Sequence, residues 1–155
     1  WLVTQGITQG CDADSFCPNE PVTRGQMATF LDRALALPDG TGSFDDVPED
    51  HTHRAGILAV AQAGISEGCN SDGTRYCPGD DVSRAQMASF LDRSLDLPAG
   101  TATFGDVEPG SVHAAAIAAV ADAGITQGCR ANLYCPGDPV TRAQMASFLF
   151  RALAG

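Results

Sequence analysis

The chain has 155 residues, 44% of them hydrophobic, which suits one ordinary domain whose short units share a core. Its formal net charge of −10 argues against a nucleic-acid footprint. No apolar run reaches the ~18–20 residues of a transmembrane helix, so membrane insertion is not expected either.

The chain opens on Trp1-Leu2-Val3-Thr4-Gln5, which aligns with residues well inside a later predicted helix. The first unit is therefore expected to lack its opening helix, and a catalytic domain could precede it. Gly6 reads as the residue just past a helix C-terminus, where glycine enters the left-handed region cheaply. Ile7 follows and turns inward. Cys11 and Cys17 then bracket a polar loop. Asp12 and Asp14 there have the alternate spacing of a calcium loop, but the other ligands and the distal glutamate are missing, which leaves a solvated turn.

Past Cys17-Pro18, Thr23 is followed three residues later by Gln26, the signature of a capping box. The helix predicted from Arg24 to Leu35 carries Met27, Phe30, Leu31, Ala34 and Leu35 on one face, at core spacing rather than in a cofactor-binding pattern. It stops near Leu37-Pro38, because proline cannot continue it. Asp39–Gly42 reads as a linker and Phe44-Asp45-Asp46-Val47 as a short extended segment. Asp50 is placed to cap a second helix, which carries Ile57 and Val60 and ends at Gly64.

The pattern then restarts. Gly6, Gly64 and Gly124 open three copies about sixty residues apart, a period that marks one supersecondary unit repeated. The second copy holds Cys69, Cys77, Ser83 with Gln86, and a helix over Arg84–Leu95. The third holds Cys129, Cys135, Thr141 with Gln144, and a helix over Arg142–Leu153. Between them, Phe104-Gly105-Asp106-Val107 repeats the short segment, with Ser111 as the next cap. The repeats divide the chain at 1–43, 44–103 and 104–155, the first truncated at its N-terminus. The fold class is all-α: three helix–loop–helix repeats in which no stretch alternates as a strand.

Each repeat holds one cysteine pair between a Gly-Cys and a Cys-Pro, so the repeat selects the pairings 11–17, 69–77 and 129–135. Zinc sites space two cysteines more tightly, so no metal is expected. Local disulfides imply an oxidising compartment, hence a secreted or cell-surface protein.

All nine cations are arginine, and Arg24, Arg84 and Arg142 directly follow the three N-caps. A cation there opposes the helix dipole, at a cost of about 0.3–1 kcal/mol. Two reasons for placing it there stand side by side. One is an ion pair with Asp46 or Asp106 of a neighbouring unit. The other is recognition of an anionic ligand by the guanidinium fork beside a helix N-terminus. His51, His53 and His113 lie near no nucleophile elbow or triad, so no catalytic residue and no cofactor is assigned.

These residues resemble the S-layer homology family. Phe104, Asp106, Val107, Ala116, Ile117, Gly124, Ile125, Gly128, Pro136, Thr141, Arg142 and Ala143 fit its pattern, and the fit holds in three registers. The resemblance implies a pseudo-threefold bundle, with the capped helices around a common axis and the others splayed outward. It also implies a non-catalytic module that anchors secreted proteins to Gram-positive cell-wall polysaccharide. Where the family carries glutamate, this chain has Gln26, Gln86 and Gln144. Where the family has an aromatic before the Ala-Ile helix, this chain has Thr52 and Val112. The paired cysteines look like an actinobacterial-type variant. Ligand grooves are expected between repeats, built from Arg24, Arg84 and Arg142, from Asp46 and Asp106, and from the turns at Gly10, Gly68 and Gly128. At most two are expected to be complete, because the first repeat lacks the Phe-x-Asp-Val segment. The alternative is a structural or protein-interaction module that keeps the fold without binding glycan.

Overall fold

A computed structural model describes all residues, Trp1–Gly155. It contains five helices in chain order: α1 (Arg24–Leu35), α2 (Arg54–Gln62), α3 (Arg84–Leu95), α4 (Ala114–Asp122) and α5 (Arg142–Leu153). Strand pairing is confined to isolated bridges.

Helices α1, α3 and α5 start where the capping boxes place them. Thr23, Ser83 and Thr141 accept from the backbone of Gln26, Gln86 and Gln144, and each glutamine side chain returns a bond to the cap backbone. Helices α1 and α3 end one turn before their prolines. Ala36 and Asp96 adopt the left-handed conformation there, each with φ 49°, and Leu37 N–H closes back on the Asp32 carbonyl. No glycine marked these stops.

The outer helices depart from expectation at their N-termini. Their N-cap positions are His53 and His113, and neither side chain makes a cap hydrogen bond. Asp50 and Ser111 lie too far upstream, because tight turns carry the chain into each helix: His51 N–H bonds the Pro48 carbonyl and Arg54 N–H the His51 carbonyl. The Phe-x-Asp-Val segments are not extended either. Val47 N–H bonds the Phe44 carbonyl at 3.1 Å and Val107 N–H the Phe104 carbonyl at 3.2 Å, so each segment is a turn. Residues 1–7 repeat the closing turn of α2 and α4: Ile7 N–H bonds the Leu2 carbonyl as Ile65 N–H bonds that of Val60.

Helix α1 packs on α2, and α3 on α4. The first two capped helices, α1 and α3, therefore lie against the outer helix of the following repeat rather than mainly against their equivalents. At the first crossing a Cβ on Gly56 would lie 2.8 Å from Thr29 Cα, so the backbones approach as only glycine allows. The axis is occupied by backbone. Val22 N–H bonds Val140 O, Val140 N–H bonds Val82 O and Val82 N–H bonds Val22 O, at 2.8–2.9 Å, closing a three-membered ring around wholly buried valines. Met27, Met87 and Met145 are core residues, at most 1% exposed.

The disulfides are Cys11–Cys17, Cys69–Cys77 and Cys129–Cys135. Bonded in pairs, these sulfurs offer no thiolate to a metal. The second cysteine of each pair is left-handed (φ 54–57°), a conformation that costs an L-residue roughly 1–2 kcal/mol and is held here by the crosslink.

Candidate ligand-binding grooves between the repeats

The three arginines after the caps do not turn back along their own helices. Each reaches into the next repeat. Arg24 Nε donates to the Tyr76 carbonyl at 2.9 Å, Arg84 Nε to Tyr134 O at 2.8 Å, and Arg142 Nε to Phe16 O at 2.7 Å. The third contact joins the last repeat to the first and closes the cycle. The terminal amines follow the same path: Arg24 Nη2 meets Ser66 Oγ and Arg142 Nη2 meets Thr8 Oγ1, both at 3.3 Å. Each guanidinium lies between two rings. Arg24 is 4.7 Å from Tyr76 and 5.8 Å from Phe90, Arg84 is 4.8 Å from Tyr134 and 5.6 Å from Phe148, and Arg142 is 5.0 Å from Phe16 and 5.6 Å from Phe30.

All three are 5% exposed or less, and none has a carboxylate within ion-pair distance. The expected pairing with Asp46 or Asp106 is therefore replaced. Carbonyls, hydroxyls and ring faces solvate the charge instead, and the helix dipole is outweighed by short contacts to a different repeat.

The acids do other work. Asp46 accepts from the backbone N–H of Tyr76 and Cys77, and Asp106 from Tyr134 and Cys135, all at 2.7–2.8 Å. Each thereby clamps the strained end of its own disulfide loop. The Tyr134 amide is the main influence holding the Asp106 carboxyl below its usual range, and the Arg84 charge adds a smaller push the same way. At Asp46 desolvation acts upward, and the amides of Tyr76 and Cys77 together overcome it. The single ion pair is peripheral, Arg75 Nε to Asp46 Oδ2 at 3.6 Å.

The helix N-termini are not open to an anion either. Arg24 and Gly25 N–H bond the carbonyls of Asp80 and Pro78, and the other two capped helices repeat this with the loop of the next repeat. The N-terminal donors are consumed in holding the repeats together.

Two polar grooves lie along these seams. One, about 190 Å³, is lined by Arg24, Ser66, Glu67, Gly68, Gln86, Arg93 and His113 among others. The other, about 390 Å³, is lined by Arg84, Thr126, Gln127, Gly128, Gln144, Ser147 and Arg151 among others. Arginine and the glycine turn thus meet as expected, but neither lining includes Asp46 or Asp106. The third seam brings Arg142 to Thr8, two residues before Gly10. Gly10, Gly68 and Gly128 all have positive φ, and a Cβ on Gly10 or Gly68 would lie 2.5 or 2.6 Å from a carbonyl oxygen of its own disulfide loop. Their smallness serves that loop first. An apolar cleft of about 390 Å³ lies elsewhere, where Trp1 meets Phe150 edge-on at 5.5 Å.

A second arginine set escaped the sequence reading. Arg33, Arg93 and Arg151 donate from Nη1 to the carbonyls of Ile7, Ile65 and Ile125 at 3.2–3.3 Å, and all three residues are exposed. Their recurrence at one position in each copy was the available signal. The histidines dock on the capped helices: His53 Nδ1 lies 2.9 Å from Thr29 Oγ1 and His113 Nδ1 2.7 Å from Ser89 Oγ. Burial pulls both imidazoles below the usual histidine value.

The S-layer homology domain model matches residues 1–28 and 103–146. The chain is 30% identical over 162 residues to an amylopullulanase of Thermoanaerobacterium thermosulfurigenes, covering 98% of this chain and 8% of that protein. It is 30% identical over 157 residues to an S-layer protein of Bacillus thuringiensis subsp. finitimus, covering 96% and 19%. A surface-layer 125 kDa protein of Lysinibacillus sphaericus is 28% identical over 159 residues, covering 98% and 13%. The chain thus spans a fifth or less of these relatives, which share this region while differing in what their names describe. By its motifs, its helical fold and these matches, the chain belongs to the S-layer homology domain family, a non-catalytic anchoring module of the cell surface.

Proposed function

We propose that this three-repeat domain anchors its parent protein by binding an acidic cell-wall polysaccharide in the grooves between repeats. The observation that carries the reading is the pairing of two guanidinium groups beside a glycine turn in each polar groove: Arg24 with Arg93 at Gly68, and Arg84 with Arg151 at Gly128. Arg142 and Gly10 form the corresponding seam between the last repeat and the first. Asp46 and Asp106 contribute indirectly, by fixing the disulfide loops against which the turns pack. Because the net charge is −10, an acidic polymer is repelled at long range. Affinity then depends on arginines at short range, inside a Debye length of about 8 Å.

The test is retention on purified Gram-positive sacculi against an unrelated acidic control protein. The exposed arginines are the ones to vary, because the buried set also holds the fold together. Arg93→Gln and Arg151→Gln together should release the protein from sacculi while the melting temperature shifts by no more than a few degrees. Wild-type retention no greater than the control's refutes the reading. One observation favours the alternative, a fold-keeping interaction module. The positions where the family carries an aromatic are Thr52 and Val112, exposed and without a ring for a sugar to stack on, Val112 at 90% exposure.

A further inference from the structure

The three disulfide loops are built alike but are not engaged alike. In the second and third repeats a Phe-x-Asp-Val turn sits on the loop. Its carboxylate accepts from two consecutive backbone N–H groups, those of Tyr76 and Cys77 or of Tyr134 and Cys135. Its ring lies on the loop tyrosine, Phe44 5.3 Å from Tyr76 and Phe104 5.4 Å from Tyr134. Its backbone N–H at Asp45 or Gly105 bonds the loop carbonyl of Thr74 or Asn132 at 2.8 Å. In the first repeat Phe16 and Cys17 hold the corresponding positions, half-buried. Cys17 has φ 54°, against 56° and 57° for Cys77 and Cys135, so its backbone is already set as in the loops that grip a carboxylate. Yet the Phe16 and Cys17 N–H groups donate to nothing in the protein, and the Asp14 carbonyl accepts from nothing. The loop's own Asp12 is turned to the Asp14 N–H. A groove of about 400 Å³ runs past this loop, with Val3, Gly10 and Phe16 on its lining.

The second observation lies on α5. Helices α1 and α3 are covered by α2 and α4, and their Ala28 and Ala88 are buried. The corresponding Ala146 of α5 is only half-buried and Ser147 is exposed. Ser147 Oγ turns back to the Ala143 carbonyl at 3.1 Å, whereas Thr29 and Ser89 at that position meet the histidines of the outer helices. Phe150 stands where α1 and α3 have Asp32 and Asp92, and its ring meets Trp1. Gln5 N–H bonds the Trp1 carbonyl at 2.9 Å, the spacing of an α-helix.

We propose that the loop of residues 11–17 and the open face of α5 form one receptor for a Phe-x-Asp-Val turn with a short helix behind it, joined to the domain at Trp1. In the other repeats Phe44–Leu58 and Phe104–Ala118 span the same two places, so one segment of that length reaches both. Its aspartate takes the Phe16 and Cys17 N–H groups, its phenylalanine covers Phe16, and its helix lies on Ala146 and Ser147. A second copy of the domain has no such segment to lend, because both of its own are engaged. Polypeptide joined there is held against the last repeat rather than tethered by a free linker.

The experiment joins a copy of Phe104–Ala118 directly ahead of Trp1 of the whole domain, and follows amide exchange by NMR beside the melting temperature. The Phe16 and Cys17 amides should exchange about tenfold slower or more than in the unextended domain, and melting should rise by roughly 5 °C. Asp106→Asn in the added copy alone should return those two amides to their unextended rates. Ser147→Arg should cancel the rise in the extended domain and leave the unextended one within about 2 °C of wild type. Exchange at Phe16 and Cys17 unaltered by the joined copy, or equally slow with aspartate and asparagine in it, would overturn the proposal. So would equal protection by the same peptide added free at the protein's own concentration, which would make the occupant a separate chain.

Discussion

Replacing Arg24 with methionine keeps most of the side chain's stem and removes the fork. In the structure that deletes a bond to the Tyr76 carbonyl and one to Ser66 Oγ, and it takes the cation off the Tyr76 ring. Hydrogen bonds from a charged donor contribute about 1.5–3 kcal/mol each, and a desolvated cation–π contact up to about 2 kcal/mol. Removing the buried charge returns part of this, because that charge has no carboxylate partner. The expected net loss is about 2–4 kcal/mol. For a chain of this size it should appear as a fall of roughly 5–15 °C in melting temperature. Arg84→Met should cost about 0.5–1.5 kcal/mol less, since one of its donors is already unpartnered. The assay is urea unfolding of the variants and wild type, followed by circular dichroism. A loss under about 1 kcal/mol for Arg24→Met would refute the idea that these arginines join the repeats. So would Arg84→Met proving the more damaging.

Phe90 is 5% exposed and lies beneath Arg24, so Phe90→Ala should cost about 3–5 kcal/mol in the same unfolding assay. Gly100 has no room for a Cβ, which would collide with the Ala118 carbonyl; Gly100→Ala should therefore cost about 1–3 kcal/mol through backbone displacement. Cys69→Ala with Cys77→Ala should remove on the order of 2–3 kcal/mol, less than a long-loop bridge would, and non-reducing peptide maps of wild type should show the three local pairings alone. Acid should weaken the fold in two stages, seen as melting temperature against pH. His53 and His113 have lowered folded values, so the unfolded chain takes up protons first and stability falls as pH drops below about 6.5. Asp46 and Asp106 are also lowered. Their contribution is present above the ordinary carboxylate value of about 4 and is lost as pH falls through their folded values. His53→Asn with His113→Asn should flatten the first stage only.

The sequence by itself determined the capped helices and the disulfides. Both are local: Thr23 and Gln26 satisfy each other three residues apart, and each cysteine pair closes one short loop. The stripe at Met27, Phe30 and Leu31 marked the buried face for the same reason, since helix geometry brings those positions together without help from another repeat. What local pattern leaves open is the partner across a seam. Asp46 and Arg24 looked like a natural ion pair, because opposite charges at repeated positions suggest one. Tertiary structure instead brought two backbone N–H groups to Asp46 and a carbonyl, a hydroxyl and two rings to Arg24. The Phe-x-Asp-Val turn, the left-handed Ala36 and the valine ring at the axis were illegible for a related reason. Their hydrogen bonds depend on backbone geometry and on which repeat follows which, and side-chain identity encodes neither. The grooves belong to this second class: each is made from two repeats, and its chemistry exists only once the cycle of three has closed.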